Sequence, residues 1–175
     1  MSPKTVEALF ATKAALLEAT LVVALGVDES GTANDDVPVL RPESVLEMRF
    51  AAAREMEVAR DAETMLELSS ALAREVNARA EGICWVVETA VPSDEGLAEL
   101  WARLIAAQRF GVRWTAELLL RKPGVRADLG LREAEEAILA ALDWNTYRTL
   151  TRKGGLTPDE VQAWTTRYYR RMLLE

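Results

Sequence analysis

The residues that most often carry chemistry are scarce in this chain of 175 residues. Histidine is absent, which removes the commonest general base, the commonest zinc ligand and every Ser-His or Cys-His nucleophile pair. Cys84 is the single cysteine, so an internal disulfide and a thiolate metal cluster are both excluded. Its neighbours Ile83 and Trp85 predict a buried, unreactive thiol.

The acidic residues form two clusters, and neither pattern is typical of a catalytic or metal site. Asp35-Asp36 is too short for a metal-binding motif and falls in a predicted loop. Glu133, Glu135 and Glu136 fall on one predicted helix, but a di-iron bundle needs Glu-x-x-His pairs. Glycine-rich phosphate loops are also lacking. The sequence therefore predicts no enzyme, no cofactor, no metal and no catalytic residue.

The charge balance limits the partners of the chain. Lys and Arg number 21 against 28 Asp and Glu, a net charge of −7, so DNA contact would need a small local basic patch. The longest apolar run, 21–27, is too short to span a membrane, and no secretory signal follows Met1. We expect a cytoplasmic protein that does not enter the membrane.

Helical patterns dominate the chain and predict an all-α fold. The only strand candidate, 37–40, contains a proline and lies in the polar connector 28–40, which is the clearest boundary in the chain. A weaker break falls at 59–61, and Gly82 is expected to bend a long helix. Caps, prolines and apolar spacing predict helices that begin at Ser2, Thr12, Pro42, about residue 62, Pro92, Leu131 and Thr157. The helix that begins at Leu131 is predicted to end at about Arg152.

Two stretches resemble one family, the TetR-type transcriptional repressors. Residues 2–17 (SPKTVEALFATKAALL) are similar to the end of that family's DNA-binding domain: a recognition helix, a closing Phe, a short turn and the long connecting helix. Residues 141–150 (ALDWNTYRTL) followed by 154–164 (GGLTPDEVQAW) are similar to its closing helices. The resemblance implies a TetR-type helical bundle. Residues 1–27 would hold a remnant of the helix-turn-helix domain plus the connecting helix, and 28–175 the effector-binding and dimerisation domain.

The chain departs from the family at its beginning. Members have two helices before the recognition helix, whereas this sequence starts at the recognition helix itself. A recognition helix reads DNA only when the preceding helix braces it. Two explanations stay open: translation starts upstream of Met1, or a true truncation leaves a sensor without its DNA-reading head.

The resemblance implies DNA contacts near the N-terminus. Ser2 and Thr5 would approach phosphates or base edges, while Lys4 and Lys13 would contact backbone phosphates. Glu7 occupies a position where members commonly have a phosphate-contacting Tyr, and its carboxylate would repel phosphate unless it accepts a hydrogen bond from a cytosine amino group. The alternative is that Ser2 and Thr12 are only helix caps and that the lysines are solvated.

The resemblance also places an effector pocket among the central helices. Aromatic walls with a few polar groups suit a small hydrophobic ligand. The candidate lining residues are Trp85, Glu88, Trp101, Gln108, Trp114 and Thr115. The alternative for each tryptophan is ordinary packing in the core.

The last two helices pair across a two-fold axis in the family, which implies a homodimer. Such an interface needs an apolar stripe with large side chains. The candidate interface residues are Ile138, Leu142, Tyr147, Trp164, Tyr168 and Met172. The alternative is packing within one monomer.

Two functions follow from the sequence. The first is a TetR-type regulator, expected to be a repressor, whose homodimeric helical domain binds a small hydrophobic effector and moves the reading heads through helix 12–27. Operator DNA is a partner only if the two missing helices exist in the native protein. The alternative is a stand-alone helical ligand-binding or dimerisation module that does not bind DNA.

Overall fold

The computed structural model describes Phe10 and residues 12–25 and 51–175, with backbone alone for 51–53. The predicted DNA contacts Ser2, Lys4 and Thr5 lie outside these residues, as do the connector 28–40 and the helix predicted to begin at Pro42. Within the described ranges the fold is all-α, as predicted. Its helices are α1 (Lys13–Ala24), α2 (Ala51–Val58), α3 (Ala62–Ala90), α4 (Glu95–Leu119), α5 (Leu131–Leu142), α6 (Trp144–Arg148) and α7 (Pro158–Leu173).

Side-chain caps begin the helices at positions that the sequence indicates. Thr12 Oγ1 accepts a hydrogen bond from Ala15 N at 3.1 Å, and Thr157 and Glu160 form the predicted capping box of α7. Asp61 begins α3 and Asp94 begins α4 in the same way, so that α4 starts at Glu95 rather than at the predicted Pro92. These caps satisfy backbone N–H groups that have no partner inside the helix. The predicted break at 59–61 is confirmed by the gap between α2 and α3.

The predicted end of one helix is wrong. The helix expected from Leu131 to Arg152 ends at Leu142, because Asp143 takes an extended backbone and its carboxylate caps α6 by accepting from Asn145 N at 2.8 Å. The chain then passes through a π-helical turn, 149–153. It leaves that turn through Gly155, whose φ of 71° favours glycine. Helix α3 runs through Gly82 without interruption, and the bend predicted there stays a prediction.

Helix α3 is the central element and packs against α1, α2, α4, α6 and α7. Two apolar clusters lie toward opposite ends of it. The first contains Met65, Leu119 and Ile138 with buried residues of α2 and α7, and the second contains Leu21, Val87 and Leu100 with residues of α1, α4 and α6. The middle of α3 and the middle of α4 therefore lie between the two clusters, where the candidate site is found.

Candidate ligand-binding cavity

A cavity of about 330 Å³ lies between the middle parts of α3 and α4. Residues of α2, α5 and α6, together with Leu25 just after α1, complete the wall. The apolar wall consists of Leu25, Leu72, Val76, Leu104, Val112, Trp114, Leu142 and Trp144. The exposed residues Arg54 and Glu57 of α2 form part of the rim. This volume falls at the lower end of the range for small-molecule sites.

The cavity exists because small side chains face each other across the helix pair. Helix α3 presents Ser69, Ala73, Asn77 and Ala80 at spacings of three and four, and α4 presents Ala107, Gly111 and Thr115 in the same way. Residues at these spacings lie on one face of a helix. Small side chains on both facing surfaces leave the space open that leucines would fill in an ordinary core.

Buried polar groups interrupt the apolar wall. Asn77 is 5% exposed, and its Nδ2 donates to the backbone oxygen of Leu142 at 3.2 Å. Thr115 is also buried, and its hydroxyl donates to Gly111 O at 2.9 Å. Ser69 and the half-buried Gln108 add a hydroxyl and a carboxamide. An apolar wall with a few polar groups suits a ligand with a large apolar body and one or two polar atoms.

The structure brings half of the predicted ligand contacts to this cavity. Gln108, Trp114 and Thr115 line it, whereas Trp85, Glu88 and Trp101 do not. Trp85 is 42% exposed, and the Arg148 guanidinium lies 4.2 Å from its ring centroid.

Trp101 and Glu88 have other neighbours outside the cavity wall. Trp101 packs edge-on against Trp144, with ring centroids 5.3 Å apart, and so supports a wall residue from behind. Glu88 Oε2 accepts a hydrogen bond from Asn145 Nδ2 at 3.5 Å. Trp85, Glu88 and Trp101 were chosen by residue type within the central helices. The rotation of α3 and α4 about their axes determines which face of the helix each side chain occupies.

Sequence reasoning missed Asn77 and Trp144 as cavity residues. The signal for Asn77 was the stripe of small residues at 69, 73, 77 and 80, which an ordinary core helix would not carry. Trp144 had no comparable signal, because it reaches the cavity only where the helix is interrupted at Asp143.

The predicted dimer residues divide into two groups. Ile138, Leu142 and Tyr147 pack inside the monomer: Ile138 has no exposed surface, Leu142 lines the cavity, and Tyr147 is buried. These three positions therefore follow the alternative of intramolecular packing.

The other three predicted dimer residues lie along one side of α7. Trp164 and Tyr168 are half-buried, with their rings stacked at 5.4 Å, and Met172 is 37% exposed. The buried face of α7 is formed instead by Val161, Thr165, Tyr169 and Leu173.

Helix α1 is attached to the domain that contains the cavity. The buried Glu18 carboxylate accepts from the Arg103 guanidinium of α4 at 2.7 Å. Leu21 is fully buried between α1 and the neighbouring helices, and Leu25 reaches the cavity wall. Lys13, the described member of the predicted DNA contacts, is exposed in the first turn of α1.

Carboxylates of the acidic cluster on α5 form ion pairs with arginines. Glu133 pairs with Arg126, and Glu136 lies 2.9 Å from Arg132. No group of three metal-ligating side chains occurs in the described ranges. Burial, helped by the charges of Glu81, Glu88 and Asp143, raises the pKa of Cys84 to about 12, so this thiol stays protonated at neutral pH.

Within the described ranges, none of the helices is long and apolar enough to span a membrane. Comparison of the chain with protein families, with curated proteins and with solved structures finds no match. The fold and the cavity therefore define the class of protein by themselves. The described part of the chain is an all-α domain with a mostly apolar internal cavity.

Proposed function

We propose that this chain is the effector-binding part of a TetR-type transcriptional regulator, and that its cavity binds a small, largely apolar effector. The observation that carries the proposal is the cavity between α3 and α4, because its wall is mostly apolar, contains two tryptophans and includes a few buried polar groups. The resemblance to the family rests on residues 2–17 and on the closing helices of the sequence.

The same cavity offers a route to α1. In the proposed regulator, α1 is the connecting helix, and Leu25 lies both at its C-terminal end and in the cavity wall. If α1 can take two positions, a ligand that contacts Leu25 more favourably in one of them would increase the population of that position. The Glu18–Arg103 pair holds α1 against α4 and would move with it.

Filling the cavity should abolish ligand binding. We expect Ala107→Phe to weaken binding of the neutral apolar probe 4-butylanisole by at least about tenfold, because the phenyl group occupies the ligand's space. Isothermal titration calorimetry measures the affinity. The matched control is Ala106→Phe, since Ala106 is exposed one residue earlier on α4. Equal binding by both variants would place the probe elsewhere.

The homodimer is proposed to form through the half-exposed side of α7. We expect Met172→Glu to raise the dissociation constant of the dimer by about tenfold or more, because a charge would be buried in the interface. Sedimentation equilibrium measures the change, and Arg171→Glu on the neighbouring exposed position is the control. A monomeric wild-type protein, or equal effects of both variants, would contradict this interface.

The alternative is a stand-alone ligand-binding module that does not bind DNA. The net charge of −7 favours it, since phosphate contacts need clustered cations. The intact mass of the protein from its source cells separates the two functions. A mass larger by about two helices plus a leader supports the regulator, and a mass equal to that of this chain supports the module.

A further inference from the structure

The buried carboxamide of Asn77 has a fixed orientation. The atom 3.2 Å from Leu142 O must be the amide nitrogen, because a backbone carbonyl can only accept a hydrogen bond. Leu142 is the last residue of α5, so its carbonyl is one of those that have no partner within the helix. Asn77 thereby satisfies this carbonyl, and its own Oδ1 accepts no hydrogen bond from any described residue.

The Thr115 side chain also uses its donor within the protein. Its hydroxyl proton is donated to Gly111 O at 2.9 Å, one helical turn earlier in α4. The lone pairs of Oγ1 accept no hydrogen bond within the described ranges. Both buried residues line the cavity, so each offers it an acceptor whose hydrogen bond is unmade.

The hydrogen-bonding balance of these two residues favours acceptors. Asn77 Oδ1 and Thr115 Oγ1 have two lone pairs each, against one remaining N–H of Asn77. Trp144, which also lines the cavity, has a buried Nε1–H without a hydrogen-bond partner in the described ranges, so the wall residues include a donor as well as these acceptors. A ligand hydroxyl can donate a hydrogen bond to an acceptor and accept one from a donor.

Charge narrows the ligand class further. None of the buried residues that line the cavity in the described ranges is charged, and Arg54 and Glu57 on the rim are exposed. A carboxylate ligand would lose its hydration in a mostly apolar space that has no buried cation to pair with it. An ammonium ligand would enter an apolar space without a counter-ion, which is costly.

We propose that the cavity selects uncharged hydroxyl compounds, alcohols or phenols with an apolar body, which donate their O–H to Asn77 Oδ1 or Thr115 Oγ1. The inference rests on the proposed function, since it names the class of ligand for the same cavity. Trp114 and Trp144 in the wall suit an aromatic body.

Matched ligands test the inference by calorimetry. We expect 4-butylphenol to bind about three- to tenfold tighter than its methyl ether, 4-butylanisole, because only the phenol donates a hydrogen bond. The ether is the more apolar compound, so burial of apolar area alone would give the opposite order. The carboxylate 4-butylbenzoate is expected to bind more weakly than the phenol.

Two variants locate the acceptor. Thr115→Val is nearly isosteric, and Gly111 O keeps its hydrogen bond within the helix, so the variant is expected to fold. Asn77→Leu removes Oδ1 but also leaves Leu142 O unpaired, so its folding is checked by thermal melting. We expect one of the two to abolish the preference for the phenol. Thr115→Ser, which retains the hydroxyl, is the control and should retain the preference.

The possible failures are distinct. Equal affinity of phenol and ether, with both lost in Ala107→Phe, would overturn the hydroxyl inference and leave the proposed ligand site standing. A preference that survives in the double variant Asn77→Leu/Thr115→Val would also overturn it. Failure of all three compounds to bind would count against the proposed function itself.

Discussion

Replacing Ile138 by alanine is expected to lower the free energy of unfolding by about 3 kcal/mol. Ile138 has no exposed surface and belongs to the core cluster that also contains Met65, Leu119 and Tyr169. Truncation removes three carbon atoms from this contact and leaves a cavity that the neighbouring helices fill only in part. Urea unfolding, measured at one fixed protein concentration, gives the change.

Leu139→Ala is the matched control for Ile138→Ala. The two residues are adjacent on α5, but Leu139 is 36% exposed, so its truncation should change stability by less than about 1 kcal/mol. The comparison also tests the packing of Ile138 inside the monomer. A small stability loss combined with loss of the dimer would place Ile138 at a subunit interface, whereas a large loss with an intact dimer would place it in the core.

Replacing Arg148 by methionine is expected to destabilise the fold by about 2–3 kcal/mol. Arg148 Nη1 donates to Glu81 Oε1 at 2.5 Å, and the Glu81 side chain is only 7% exposed. Removing the arginine leaves a buried carboxylate without its main partner, and the desolvation of that carboxylate is then uncompensated. The contact of the guanidinium with the Trp85 ring is lost as well.

A second arginine provides the control for Arg148→Met. Arg152 lies 3.6 Å from the other Glu81 oxygen, but its side chain is 69% exposed, so Arg152→Met should cost under about 1 kcal/mol. The double variant Glu81→Met/Arg148→Met should recover most of the stability, because no charge then remains buried. Equal losses from Arg148→Met and Arg152→Met would contradict the assignment of Arg148 as the main partner.

Local sequence signals predicted much of the secondary structure. The caps at Thr12 and Thr157 depend on hydrogen bonds between near neighbours, which the residue types reveal directly. The break at 59–61 also involves a distant residue, because Lys122 Nζ donates to Glu57 O and Ala59 O. The break at Asp143 escaped prediction because the apolar spacing continues on both sides of it. The aspartate acts there as a cap for α6, whereas in the middle of a helix it would be an unremarkable polar residue.

The candidate site was predicted only in part. Gln108, Trp114 and Thr115 of α4 lie in the cavity wall, and their predicted contact with an effector stays a prediction. Trp85 and Trp101 were chosen for their aromatic rings, and the packing places them outside it.

The sequence by itself determined the helical class and the helix boundaries set by local caps. It also showed that the chain has no histidine to act as a base or a metal ligand. These properties depend on composition and on contacts between residues a few positions apart. The tertiary structure decided where the cavity lies and which groups face it. Asn77 of α3 meets Leu142 of α5 across 65 positions of sequence, and such a contact depends on how whole helices rotate and pack.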